Sequence, residues 1–241
     1  EEQTLIFEII RLSTIKNDLY ESWLETRKEE IQIMPGTKEL LDYLVSNGIL
    51  MAVASSSKNT PAILRITGLD KYFKEIISGH DIGNYSHYLN KQIEGKPVPD
   101  IFSEAALRLG VNTKQIVGFE DAVKGVRAIK VSGMLTIGVD TEKKGFLTEA
   151  DFVIGSVEDI AKRLASSPIT YKAVVFALDG VLTTTATLHS EAWKAAFDEY
   201  FRYREGLYNE AFKEFTQEEY LTYVDGKSRY VGTDSFFKSR G

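Results

Sequence analysis

An α/β protein built on a parallel sheet covered on both faces is predicted from three features of this 241-residue sequence. Short apolar runs of strand length alternate with amphipathic stretches through the middle of the chain. Those runs are continuous, not alternating, as in strands buried on both faces. Both ends of the chain carry only helical patterns, so helices flank an α/β middle. The length suits one large domain or a core with a smaller companion. A composition of 43% hydrophobic and 27% charged residues is that of a globular chain, and it argues against a disordered chain, a collagen-like fibre or a coiled coil.

Each element has its own signal. Leu5, Ile9, Leu12, Ile15, Leu19 and Trp23 recur at steps of three or four, predicting a helix over 5–30. Met34-Pro35-Gly36 punctuates the chain, and a second helix from Lys38 to Ser46 is closed by Asn47-Gly48. Ile49 to Ala54 reads as a buried strand, followed by a helix from about Pro61. The rhythm continues with strands at 75–78, 116–119, 135–139 and 152–154, and with helices at 101–109 and 123–131. Ala165-Ser166-Ser167-Pro168 reads as a linker, and Ala173 to Leu178 is the most hydrophobic strand candidate. From Leu188 to Gly241 the pattern is helical and rich in aromatic residues.

Charge and composition narrow the function classes. A net charge of -6, from 35 acidic and 29 basic residues, repels a phosphate backbone and predicts no nucleic-acid partner. With no cysteine, a disulfide framework or zinc-thiolate site is excluded. No apolar run approaches the roughly 20 residues that span a bilayer, and the opening Glu1-Glu2-Gln3 is acidic where a secretory leader is basic. No membrane partner and a cytoplasmic location are therefore expected.

In open α/β sheets, ligands bind beyond the carboxyl ends of the strands, so polar residues after each apolar run are the candidates. Ser55-Ser56-Ser57-Lys58-Asn59 offers hydroxyls, a cation and backbone amides at a strand-to-helix turn, a setting that suits phosphate and equally a solvated loop. Gly95-Lys96-Pro97 offers a lysine. Glu120-Asp121 places two carboxylates at a strand end, as hard ligands for Mg²⁺ or as acids at a helix N-terminus. Asp179-Gly180 closes the strand that begins at Ala173. Gly226-Lys227-Ser228 is not a nucleotide-binding loop, because Leu221 stands where its first glycine would be. A hydroxyl turn, a lysine, a carboxylate pair and an Asp-Gly, each closing a different strand, together describe a Mg²⁺-dependent phosphoryl-transfer site.

That combination resembles the haloacid dehalogenase superfamily. Val53 to Asn59, Gly95 to Phe102, Gly118 to Ala122, and Phe176 to Thr183 followed by Thr185, His189, Ala192 and Trp193 look like its β-phosphoglucomutase branch. The resemblance implies a Rossmann-like parallel-sheet core at 34–185 and a separate α-helical cap formed from 1–33 and 186–241. It implies that Asp179 is a general acid/base, that Ser55 and Lys96 hold the transferring phosphoryl group, and that Asp179, Glu120 and Asp121 bind Mg²⁺. Thr185 and His189 would complete the catalytic group. Arg229 and Lys16 would orient a sugar phosphate, and Ser57, Lys58 and Asn59 with Arg229 would hold the phosphate that is not transferred. Small sugar phosphates are the implied partners, and a monomer is expected because the cap must open and close.

Two departures stand out. The Asp-x-Asp strand opens the chain in the family and here follows the other core strands, which predicts a circular permutation with Glu1 and Gly241 close together at the cap surface. The family's nucleophilic aspartate falls on Ala177, whose methyl group can neither attack phosphorus nor coordinate a metal, so this chain is expected to be inactive. The resulting expectation is a phosphotransferase that interconverts hexose 1-phosphate and 6-phosphate through a bisphosphate and a phospho-aspartate, disabled at Ala177. A phosphatase of small phosphate esters and a non-catalytic sugar-phosphate-binding protein remain as alternatives.

Overall fold

The computed structural model describes residues 2–164, 170–209 and 211–240. Helix α1 (Glu2–Thr26) is followed by α2 (Thr37–Ser46), β1 (Leu50–Ala54), α3 (Thr60–Thr67) and β2 (Glu75–Ile77). A two-stranded hairpin, β3 (Tyr85–Ser86) and β4 (Lys91–Gln92), precedes α4 (Asp100–Leu109). Strand β5 (Ile116–Glu120), α5 (Val123–Ser132), β6 (Leu135–Val139), β7 (Phe152–Ile154), α6 (Val157–Leu164) and β8 (Ala173–Phe176) complete the α/β part. Helix α7 (Thr185–Tyr208) is followed by α8 (Gln217–Glu219), which runs into a π-helical turn at Tyr220–Val224, and by α9 (Arg229–Arg240).

Six strands form one parallel sheet in the order β2-β1-β8-β5-β6-β7. The predicted α/β class is the one observed. Strand β8, late in the chain, lies between β1 and β5, with Phe176 in register with Val53 on one side and Phe119 on the other. Alternate residues of β8 face opposite sides, as the period-two pleat requires. Val174 and Phe176 join Met51, Val53, Val117 and Phe119 in one core, to which α2 and α3 contribute. Ala173 and Val175 join Ala52, Ala54 and the inner residues of α4 and α5 in the other.

A third cluster lies among α1, α7, α9 and the π-helical turn, where Trp193, Phe197, Phe215 and Phe236 pack as stacked and edge-on rings with Leu12 in the same cluster. Ser13 of α1 and Thr233 of α9 share a buried hydrogen bond of 3.0 Å. The buried stripe of α1 runs through Ile9, Leu12, Lys16, Tyr20 and Leu24, whereas Leu5 is exposed, so the periodic face reads about one residue away from the predicted stripe.

Other expectations change in detail. Strand β7 is an edge strand with Phe152 and Val153 exposed, because β6 covers only one of its sides. The β3–β4 hairpin has two residues per strand, too few for a periodic signal. The linker Ala165–Pro168 and the termini Glu1 and Gly241 lie outside the described residues. Among the described residues, no helix is long and apolar enough to cross a membrane.

Phe176 is fully buried, stacks on Phe119 with ring centres 5.0 Å apart and meets Phe73 edge-on at 6.3 Å. Phe176→Ala should lower the unfolding free energy by about 3–5 kcal/mol, measured by urea denaturation.

Candidate functional site

The carboxyl ends of β1, β5 and β8 lie side by side, and the residues that follow them line one pocket. Ser55, Ser57, Lys58 and Asn59 enter from the β1–α3 turn, Lys96 from the segment before α4, Glu120 and Asp121 from β5, and Ala177 and Asp179 from β8. Lys16 of α1, His189 of α7 and Arg229 of α9 close the pocket from the helical side. All the sequence-predicted site residues except Thr185 therefore line one cavity. Thr185 is buried behind it and donates a hydrogen bond from Oγ1 to Asp179 Oδ1.

Lys96 Nζ donates to Glu120 Oε2 at 2.5 Å, and both side chains are almost fully buried. A pair taken out of water in this way is held by mutual attraction, and losing one partner strands the other. Gly125 in α5 makes the room, since a Cβ there would overlap the Glu120 carboxylate. Gly180, at φ +74°, does the same for Asp121 and also takes a left-handed backbone that disfavours other residues. Adjacent in sequence, Glu120 and Asp121 thus point to different partners.

Burial raises the pKa of the Asp121 carboxyl well above the usual aspartate range, and the negative charges of Glu120 and Asp225 push it further. Burial raises Asp179 too, against the opposing hydrogen bond from Thr185. Among the described residues, no group of three or more acids or histidines is placed to hold a metal ion. Lys96 engages the Glu120 carboxylate, and Ala177 has no side-chain oxygen.

On the helical side, Lys16 Nζ and His189 Nδ1 are 2.5 Å apart. The His189 ring stacks on Tyr20 at 4.6 Å, and the Lys16 ammonium lies over the Tyr20 and Trp193 rings at 4.4 and 5.3 Å. Burial lowers the pKa of Lys16 well below the usual lysine range, with the Arg229 charge adding to it. Burial and the neighbouring Lys16 lower that of His189, which keeps its imidazole neutral and able to accept. Arg229 is also lowered by burial.

The β1–α3 turn is less open than its sequence suggests. Ser55 Oγ accepts from the Ser57 N–H and Ser57 Oγ from the Asn59 N–H, each at 3.2 Å, so two amides that could hold an anion are already engaged. The Asn59 amide donates to Asn17 Oδ1 of α1 at 3.3 Å. Several pocket residues are not among the sequence-predicted site residues. Asp225, Lys227, Tyr220 and Trp193 line it, and Tyr20 supports it from beneath. Of these, Trp193 in the stretch that resembles the family and Lys227 in Gly226-Lys227-Ser228 stand out in the sequence, whereas Tyr20 and Tyr220 carry no signal there.

The sequence profile described as haloacid dehalogenase-like hydrolase matches residues 4–133. The chain is 46% identical over 139 residues to a β-phosphoglucomutase of Mycobacterium bovis, covering 58% of this chain and 50% of that one. It is 33% identical over 132 residues to a β-phosphoglucomutase of Bacillus subtilis, covering 55% and 53% of the two chains. A solved HAD phosphatase from Thermococcus onnurineus superposes with a TM-score of 0.53 at 27% identity, covering 61% of this chain and 65% of that one. The chain thus spans about half the length of the curated relatives it matches. The profile match includes Lys16, Ser55, Lys96, Glu120 and Asp121 and ends before Ala177, Asp179, His189 and Arg229.

Two outcomes follow from the buried charges. Lys96→Met should cost about 3–5 kcal/mol in chemical denaturation by stranding Glu120, and adding Glu120→Gln should recover part of that loss. Because the folded His189 pKa is lowered, the unfolded chain takes up the proton first as pH falls through about 6.5. The unfolding free energy of the wild type should therefore drop more steeply than that of His189→Gln as pH falls from about 7.5 to about 5.5, roughly one unit on each side of the free-histidine value.

Proposed function

Because the chain belongs to the haloacid dehalogenase-like hydrolase family, we propose that its pocket binds a sugar phosphate in the manner of a β-phosphoglucomutase and that Ala177 disables phosphoryl transfer. The observation that carries this reading is the convergence of Ser55, Lys96, Asp121 and Asp179 on one cavity with Lys16, His189 and Arg229. The first set would meet the reacting phosphoryl group, and the second the rest of the substrate.

In this reading, 34–185 is the catalytic core, and 1–33 with 186–241 forms the cap. Both chain ends contribute to a single aromatic cluster, which supports one cap built from two segments. A circular permutation accounts for the late β8 at the sheet centre and for a profile match that stops before it.

Asp121 and Asp179 are buried carboxylates with raised pKa values, and a hard cation would relieve the cost of their ionisation. The residues present therefore fit Mg²⁺ held by Asp121 and Asp179, with Glu120 engaged by Lys96. Bound there, Mg²⁺ would offset negative charge on phosphoryl oxygens. Asp179, kept in place by Thr185, would hold or release the proton of the attacking and leaving sugar oxygens. Ser55 and Lys96 would orient the transferring group, and Arg229 could grip a second phosphate with its planar fork. Ser57, Lys58 and Asn59 would assist Arg229. The chain lacks a nucleophile at 177, since a methyl group has no lone pair to attack phosphorus.

Two cationic positions, Lys96 beside the acids and Lys16 with Arg229 across the pocket, favour a bisphosphate and hence a mutase over a phosphatase. The likeness to the Thermococcus phosphatase supports the second reading.

The test is Ala177→Asp with Mg²⁺, β-glucose 1-phosphate and a trace of glucose 1,6-bisphosphate, followed by phosphorus NMR. Glucose 6-phosphate should form, at a rate about 10⁴-fold or more above that of the unsubstituted chain. Free phosphate alone would establish the phosphatase, and no product with bisphosphate still bound would establish a binding protein.

A further inference from the structure

Lys124 stands at the second position of α5 (Val123–Ser132), at the positive end of the helix dipole, where a cation is disfavoured. Burial and the nearby Lys227 charge lower its pKa to about 8. Such a placement calls for a compensating interaction, and the structure supplies one. Lys124 Nζ donates to the backbone carbonyl of Asp225 at 2.9 Å and lies 3.4 Å from that of Thr222.

Both carbonyls belong to the segment that links α8 to α9. Its π-helical turn at Tyr220–Val224 shifts the hydrogen-bond ladder, so that the Asp225 N–H donates to the Tyr220 carbonyl at 2.8 Å. Local widening of this kind turns backbone carbonyls outward and is common where a helix carries function. Gly226 closes the contact. A Cβ placed there would lie 3.3 Å from Ala122 Cβ and 3.5 Å from Lys124 Cβ, so the segment rests directly on the start of α5. The same segment brings Asp225, Lys227 and Arg229 into the pocket, which Lys124 itself does not line.

We propose that Lys124 is a positioning residue that clamps the 220–229 segment onto the α/β part and so sets where Arg229 stands in the pocket. Because it grips main-chain oxygens, it senses the position of the segment and not the side chains it carries. No ligand is needed for the clamp, so it goes beyond the sugar-phosphate reading and can be tested apart from it.

The test is amide hydrogen exchange of the full chain, without added ligand, for the wild type, Lys124→Met and Lys124→Arg. With Met, exchange of the Asp225 and Lys227 amides should accelerate at least about tenfold, while β8 amides keep their wild-type rates. Arg, which retains a donor on a long side chain, should restore protection to within about twofold of wild type. Should Met fail to fold, Lys124→Gln, too short to span both carbonyls, takes its place under the same criteria. Unchanged exchange in the Met or Gln chain overturns the inference, as does equal acceleration in β8 or an Arg chain as unprotected as Met.

Discussion

Four residues of β8, Ala173 to Phe176, hydrogen-bond to β1 on one side and to β5 on the other, and both faces of the sheet are finished by their side chains. Val174 and Phe176 complete one core, while Ala173 and Val175 complete the other. The strand also sets the pocket, because three neighbouring parallel strands end at the same rim and deliver Ser55, Asp121 and Asp179 within one cavity. Without β8, β1 and β5 would have no common neighbour, and neither core nor pocket would have a floor.

The pocket is polarised. Acids cluster on the strand ends, and Lys16 and Arg229 face them from the helices. Lys58 on the β1–α3 turn and Asp225 before α9 cross this division, and so does Lys96, which pairs with Glu120 inside the protein. At low local dielectric, unpaired charges are expensive and paired ones are rigid. The Lys96–Glu120 pair is thus the fixed part of the site, whereas Asp121, Asp179, Lys16 and His189 carry pKa values displaced by burial. These groups hold the electrostatic energy that a doubly charged ligand could exploit.

Much of this was legible in the sequence, because a buried parallel strand is an uninterrupted apolar run and the residue after it stands at the rim. Ser55, Asp121 and Asp179 were found that way. Partnerships were not legible. Glu120 and Asp121 look like a ligand pair on paper, yet adjacent residues leave a strand in opposite directions, and Glu120 goes to Lys96. Tyr20 falls outside the predicted stripe of its helix, and its stacking on His189 joins residues far apart in the chain. Gly125 gave no warning that its missing side chain houses a carboxylate. Nothing in the sequence marks Lys124, whose partners are backbone carbonyls about a hundred residues away.

The placement of β8 also bears on how the chain acquires its shape. A polypeptide leaving the ribosome presents β1 long before the strand that belongs beside it, so the flank of β1 stays bare through most of synthesis. The trio β5, β6 and β7 can assemble early, since its members are near neighbours along the chain. Final closure waits for a distant segment to insert between two waiting edges, a step of high contact order and therefore slow. Until then, the exposed edge of β1 invites pairing with other chains, a hazard that nascent-chain chaperones exist to contain.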